Sequence, residues 1–197
     1  MKHYNVKERL IDGAIKVIAR DGMDKATTKA ITTETKLYET YIYQHFKNKD
    51  GLLVAAFEKL DEELLFVTTS NLRCFEDPEK DYLTQAREYF TAIWEFMLEM
   101  PARTVTYIRY YYSPYYGKYS AVAHNQRFMP LLQKFKGNFA DETNVAMLLN
   151  HMLSTTMLFA MRVIGGELED NEDTRKHVFL VIHNSISPYF SEKPHVH

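Results

Sequence analysis

Apolar residues recur at three-to-four-residue intervals along almost the whole chain, and nowhere do they alternate as a half-buried strand requires. Over residues 5–21, Val6, Leu10, Ile11, Ala14, Ile15 and Ile18 form one stripe of an amphipathic helix. Gly22 stands where a left-handed C-cap residue is expected. Thr27 or Thr28 can cap the next helix by accepting from its free backbone N–H groups. Leu37, Ile42 and Phe46 follow at spacings of five and four, so one side of a third helix faces inward. Asn48 then caps a long helix through Leu52, Leu53, Ala56, Phe57, Leu60, Leu64 and Leu65. Asp77-Pro78-Glu79 reads as a helix start, with a cap, Pro at the first position and an acid near the positive helix end. The helix it opens buries Ala86, Tyr89, Phe90, Ile93, Met97 and Met100 and stops before Pro101. Another reaches about Tyr112 and is ended by Ser113-Pro114. Residues 120–136 make a further helix that Pro130 kinks or splits. Two more, at about 141–164 and 172–187, are closed by Gly165-Gly166 and followed by Pro188. The expectation is an all-α protein of nine helices.

The side of the third helix opposite its apolar stripe carries Tyr38, Glu39, Tyr41 and Gln44, long hydrogen-bonding groups with no other evident task. Around them stand Thr27, Thr28, Tyr43, His45, Lys47 and Lys49, all able to donate to phosphate oxygens, with Lys29 and Thr40 completing the candidate DNA-contacting set. Two short helices, a tight turn and an outward polar face describe a helix-turn-helix whose second helix fits a major groove.

The string Tyr43-Gln44-His45-Phe46-Lys47-Asn48-Lys49-Asp50-Gly51-Leu52 resembles the Tyr-x-His-Phe-Lys-Asn-Lys-Asp/Glu-x-Leu signature of tetracycline-repressor-type (TetR family) transcription regulators. The Thr27-Thr28 pair with Ile31, and the amphipathic helix ending at Asp21-Gly22, agree with it over roughly the first 53 residues. Three positions depart: Lys36 replaces the usual inter-helix Gly, Tyr38 the small residue that commonly opens the recognition helix, and Thr40 a frequent Gly. A non-Gly residue can turn left-handed at position 36, at a cost of roughly 1–2 kcal/mol. The resemblance implies a nine-helix TetR-type fold with a DNA-binding domain at 1–49, an effector-binding and dimerisation domain at 50–190 and a tail at 191–197. It further implies that helices four to seven enclose an effector pocket and that the last two helices build a four-helix bundle with a second subunit.

Charge sharpens the division. Through Lys49 there are ten Lys/Arg against six Asp/Glu, whereas the remainder holds fourteen against twenty. A basic amino-terminal module on an acidic body suits a DNA reader with a separate sensing domain. The single cysteine, Cys74, permits no internal disulfide and fits a reducing cytosol. No run is expected to reach the ~20 apolar residues of a membrane helix, so the expected compartment is the cytoplasm.

Trp94, Met97, Tyr107, Tyr110, Tyr111, Phe128, His151 and Met152 are the candidate effector-pocket residues, since aromatic and Met-lined cavities with a few polar tips are the usual small-molecule sites. Between Tyr107 and Tyr119 lie seven of the fourteen tyrosines, which alternatively suit a partner-protein surface. Helix 141–164 is apolar around too much of its circumference for one internal contact, and the last helix repeats this. Leu149, Leu153, Met157, Phe159, Phe179, Ile182 and Ile186 are accordingly the candidate homodimer contacts. No histidine pair stands at i,i+4 with a carboxylate, and His195-x-His197 lies near the chain end, so no metal or other cofactor is expected. Neither a nucleophile elbow, a phosphate-cradling glycine loop nor paired acids are found, and no enzyme is expected. The functional expectation is a ligand-responsive repressor that binds a palindromic operator as a homodimer and is released by a small-molecule effector. The alternative is a co-regulator of the same fold without specific DNA binding.

Overall fold

The computed structural model describes residues 5–191. Among the described residues there are nine α-helices: α1 (Val6–Asp21), α2 (Thr28–Thr35), α3 (Thr40–Phe46), α4 (Lys49–Ser70), α5 (Tyr82–Glu99), α6 (Pro101–Tyr111), α7 (Ala121–Lys136), α8 (Val145–Ile164) and α9 (Glu172–Ile186). No strand occurs among the described residues beyond one isolated bridge, Phe139 to Phe190. The all-α expectation is met.

The chain divides into two compact units. One takes in the chain up to Leu64 together with Met100–His124, the other Leu65–Glu99 together with the chain from Asn125 onward. In the first, α1 packs against α2, α3 and α6. Leu10, Ala14, Val17 and Ile18 on α1 are wholly buried. The approach of α1 to α2 requires a glycine: a Cβ on Gly13 would lie 2.2 Å from Thr35 Cγ2. Arg9 Nη2 locks the same crossing by donating to the Thr35 carbonyl at 2.8 Å. From α6, Thr106 Oγ1 donates to Ile15 O at 2.8 Å and Arg109 Nη1 to Ile18 O at 2.7 Å. The part of α4 in this unit buries Leu52, Leu53, Ala56, Phe57, Leu60 and Leu64, the stripe read from the sequence. In the second unit α5 packs against α8 and α9, with Phe90, Ile93, Trp94, Met97, Phe179 and Ile182 buried.

Several local expectations are corrected. The α5 helix starts at Tyr82, not at Pro78, because Asp81 is the effective cap, its Oδ1 accepting the Thr84 N–H at 2.9 Å. Asp77 instead closes a turn by accepting from the Glu79 N–H. Ala86 is only half-buried and Met100 is exposed. Pro130 does not split α7, which continues through it with the proline at an exposed position. Before α7 the chain makes a π-helical turn, Tyr116–Ser120, in which the Ala121 N–H reaches back to Tyr116 O. Helix α8 begins at Val145, capped by Asn144. Gly22 has φ 91° but ψ 170°, an extended glycine-only conformation in place of the left-handed helical one. Finally, α8 is long and apolar enough to cross a membrane by length and composition, contrary to the expectation that no run reaches that length.

Candidate nucleic-acid interface

The α2–turn–α3 segment is built by local chemistry. Thr27 Oγ1 accepts from the Ala30 N–H at 3.1 Å and so caps α2. Ile31 anchors α2 in the core, fully buried. The helix ends on Lys36, whose φ 54° and ψ 38° are left-handed, and the following Leu37 N–H donates to Thr32 O at 3.2 Å. Lys36 therefore adopts the conformation expected of the missing glycine. Ile42 and Phe46 hold α3 by burial, while Leu37 is half-buried. The helix opens at Thr40 rather than Tyr38, with Glu39 at the cap position but making no side-chain capping bond. It closes on Lys47 at φ 67°, a second positive-φ residue for which the sequence offered no sign. Asn48 Oδ1 then accepts the Gly51 N–H at 2.8 Å and starts α4.

Burying Ile42 and Phe46 turns the rest of α3 outward. Tyr38, Glu39, Thr40, Tyr43, Gln44, His45 and Lys47 are exposed, Tyr38 by 78% and Tyr43 by 53%. Tyr41 is half-buried, as are Thr28 and Lys49, while Thr27 and Lys29 are exposed. The Tyr43 hydroxyl donates to Glu39 Oε1 at 3.2 Å, one helical turn away. The Glu39 charge, and then that hydrogen bond, push the Tyr43 phenol up, so it remains a donor at neutral pH. Beside α2 lies a surface groove lined by Arg20, Thr27, Lys29, Ala30, Thr33 and Glu34. Arg20 is paired there with Asp21 at 2.9 Å and Glu34 at 2.8 Å, leaving Lys29 as the groove's other cation.

The aromatic candidates separate by unit. In the first, Tyr107, Tyr110 and Tyr111 meet Phe57, Tyr116 and His124 around Asp61, which is completely buried. Asp61 Oδ1 accepts from the Tyr107 hydroxyl at 3.1 Å and lies 2.8 Å from His124 Nδ1. Burial foremost, then the Asp61 charge, push the Tyr107 phenol well up, and burial lifts Tyr110 to about 12. Both phenols therefore stay protonated at neutral pH. Asp61 and His124 escaped the sequence reading, and Phe57 and Tyr116 entered it only as a stripe residue and a member of the tyrosine run. The available signal was an acid inside the apolar stripe of α4, one residue after Leu60 and three before Leu64. The hydroxyls of Tyr115 and Tyr119 both donate to Asp50.

In the second unit Trp94 and Met97 are core residues. The Trp94 Nε1–H donates to Asp170 Oδ1 at 3.0 Å, and Arg175 grips the same carboxylate at 2.8 and 2.7 Å. Phe128 and Met152 are half-buried, and His151 is exposed with Nε2 at 2.8 Å from Ser185 Oγ. Of the dimer candidates, Leu149, Leu153, Met157 and Phe159 are half-exposed on α8. Phe179, Ile182 and Ile186 are buried inside the chain itself, Phe179 with its ring 5.7 Å from that of Phe90. The exposed apolar groups on this pair of helices are Met147, Leu158 and Val181. Among the described residues no three His, Cys, Asp or Glu side chains cluster as metal ligands; His195 and His197 lie outside the described residues.

An α-helical fold with a capped helix-turn-helix and an outward polar recognition helix defines the helix-turn-helix class of regulatory proteins. Residues 10–56, less than half of the chain, match the model of the bacterial regulatory proteins of the tetR family. An HTH-type nicotine-responsive transcriptional repressor from Paenarthrobacter nicotinovorans is 39% identical over 59 residues, 30% of each chain. An uncharacterised HTH-type transcriptional regulator from Haemophilus influenzae is 26% identical over 97 residues, 49% of this chain and 50% of that one. The match thus spans half or less of either curated relative. The fold extends further: the crystal structure of a TetR family transcription regulator from Marinobacter aquaeolei superposes with a TM-score of 0.73 at 16% identity, over 91% of this chain and 94% of that one.

Proposed function

We propose that the protein is a ligand-responsive transcription regulator, a repressor in the cytoplasm, that binds a palindromic operator as a homodimer and is released by a small-molecule effector. The observation that carries this reading is α3: its two apolar residues are buried, and its remaining surface exposes Glu39, Thr40, Tyr43, Gln44 and Lys47 together. Residues 1–49 would read DNA, with Gln44 suited to adenine and Glu39 able to accept from cytosine N4. Thr28, Tyr43, His45, Lys47 and Lys49 would hold phosphates. Residues 50–190 would sense and dimerise. The apolar surface of α8 supports the second subunit, because Met147 and Leu158 stand exposed and Leu149, Leu153, Met157 and Phe159 are only half-buried within one chain. A two-fold dimer presents two recognition helices about one DNA turn, ~34 Å, or more apart. Effector binding changes that separation only if the ligand prefers one of two states. The nicotine-responsive relative matches over too short a stretch to lend its ligand.

Selection of bound duplexes from a random DNA pool by the purified protein tests this. A palindromic motif is the expected product. Recovery of random sequence by a folded protein would instead favour a co-regulator without specific DNA binding, and partner capture would follow.

A further inference from the structure

The π-helical turn Tyr116–Ser120 faces two ways. Inward, the Tyr116 ring lies 4.3 Å from Tyr111 and 5.8 Å from Phe57, and the buried Ser120 hydroxyl bonds the Tyr110 hydroxyl at 2.9 Å. Outward, Tyr119 donates to Asp50 Oδ2 at 2.9 Å and Tyr115 to Asp50 Oδ1 at 3.3 Å, one phenol to each carboxylate oxygen. Lys49 lies 5.7 Å from the Tyr115 ring centroid and Lys118 4.7 Å from that of Tyr119, holding the two rings between cations.

Asp50 is the second residue of α4, and the corner that joins it to α3 has no slack. A Cβ on Gly51 would lie 2.2 Å from Phe46 O, so the start of α4 is pressed onto the last residue of α3. Asn48 caps across the same corner, and the Phe46 side chain is buried. A displacement of Asp50 is therefore handed to α3 and not absorbed by the turn. An acid in the first turn of a helix has an ordinary reason to be there, the positive helix end. That reason does not call for two tyrosine hydroxyls, nor for the widened turn that delivers them. Single π turns inside helical segments recur at functional positions.

We infer that Tyr115 and Tyr119 are positioning residues for the recognition helix, acting through Asp50, and that the π turn couples α3 to the aromatic cluster around Asp61. The inference rests on the DNA-reading proposal for its consequence but not for its structural test.

The test compares wild type with Tyr119→Phe and with the double variant Tyr115→Phe/Tyr119→Phe, which remove hydroxyls and keep the rings and Asp50. Two quantities are read: affinity for the selected duplex against a scrambled one at fixed salt, and amide hydrogen exchange over residues 40–46 against α1. The double variant is expected to lose about tenfold in specific affinity with scrambled-duplex affinity unchanged, and to exchange faster in α3 but not in α1. Tyr119→Phe alone should give a smaller change in the same direction, and serves if the double variant does not fold. Unchanged specificity with unchanged α3 exchange overturns the inference. Equal loss in α1 and α3 also overturns it, since that reports general destabilisation. If wild type selects no duplex, the DNA reading fails on its own, and the exchange comparison still decides whether the clamp holds α3.

Discussion

Among the described residues, two sit at positive φ without being glycine, Lys36 and Lys47, and both flank α3. At Lys36 the strain is a matter of a Cβ against its own carbonyl, so Lys36→Gly removes it while giving the unfolded chain more freedom to lose. The balance should favour the variant by roughly 0.5–1 kcal/mol, and a raised urea midpoint at unchanged slope is the check. Lys47, exposed at the end of α3, is a phosphate ligand in the proposed complex. Lys47→Ala should weaken binding to all sequences alike and lower the salt slope by about one, read from affinity against salt concentration. An unchanged slope would remove Lys47 from the phosphate set. Glu39 carries a different expectation, because it stands on the exposed face and accepts from Tyr43. Glu39→Ala should relax preference at one base position in repeated selection and leave the others intact.

Helices are held here by specific crossings more than by propensity. Gly13→Ala places a methyl 2.2 Å from Thr35 Cγ2, so the Thr35 side chain must turn away or α1 and α2 must separate. A loss of about 1–3 kcal/mol is expected for such overpacking, visible as a lower thermal midpoint. In the second unit, Asp170 ties α5 to α9. The Arg175 hydrogen bond first, and then that from Trp94, hold its carboxyl below the usual value. A depressed carboxyl contributes stability above its unfolded pKa and loses it as pH falls through the folded one. Acidification should thus release Trp94, the only tryptophan, and Asp170→Asn should flatten the acid limb of its emission. Identical acid titrations of the two proteins would exclude Asp170 from this role. None of this was legible in the sequence: Gly13 looks like any small residue on an amphipathic helix, and Trp94 and Asp170 are 76 positions apart. By contrast, the apolar stripes of α1 and α4 and the caps Thr27 and Asn48 were legible, because each depends on neighbours three or four residues away.

For the whole molecule, the unsatisfied feature is α8, apolar in composition yet only half-covered by its own chain along much of its length. A second copy is the proposed cover. Leu158→Glu puts a charge into that surface and should yield a folded monomer by sedimentation, with weakened operator binding. A dimer of undiminished mass would move the interface elsewhere. The candidates Phe179, Ile182 and Ile186 are poorer probes, since the chain's own core already buries them and their loss would unfold it.

The sequence by itself determined the all-α class and the helix-turn-helix with its buried and exposed faces, because these follow from periodicity and caps, and a local string of residues carried the family resemblance. It did not distinguish the two fates of an apolar helical position, burial in its own core or exposure for a partner. Phe179 and Leu158 look alike in that respect, and only the packing of α5 against α9 separates them. Nor did it bring together Asp61, Tyr107 and His124, or Asp50, Tyr115 and Tyr119. Those contacts join α4 to residues some fifty to seventy positions away. Long-range contacts are fixed by the packing of whole helices, to which local spacing gives no access.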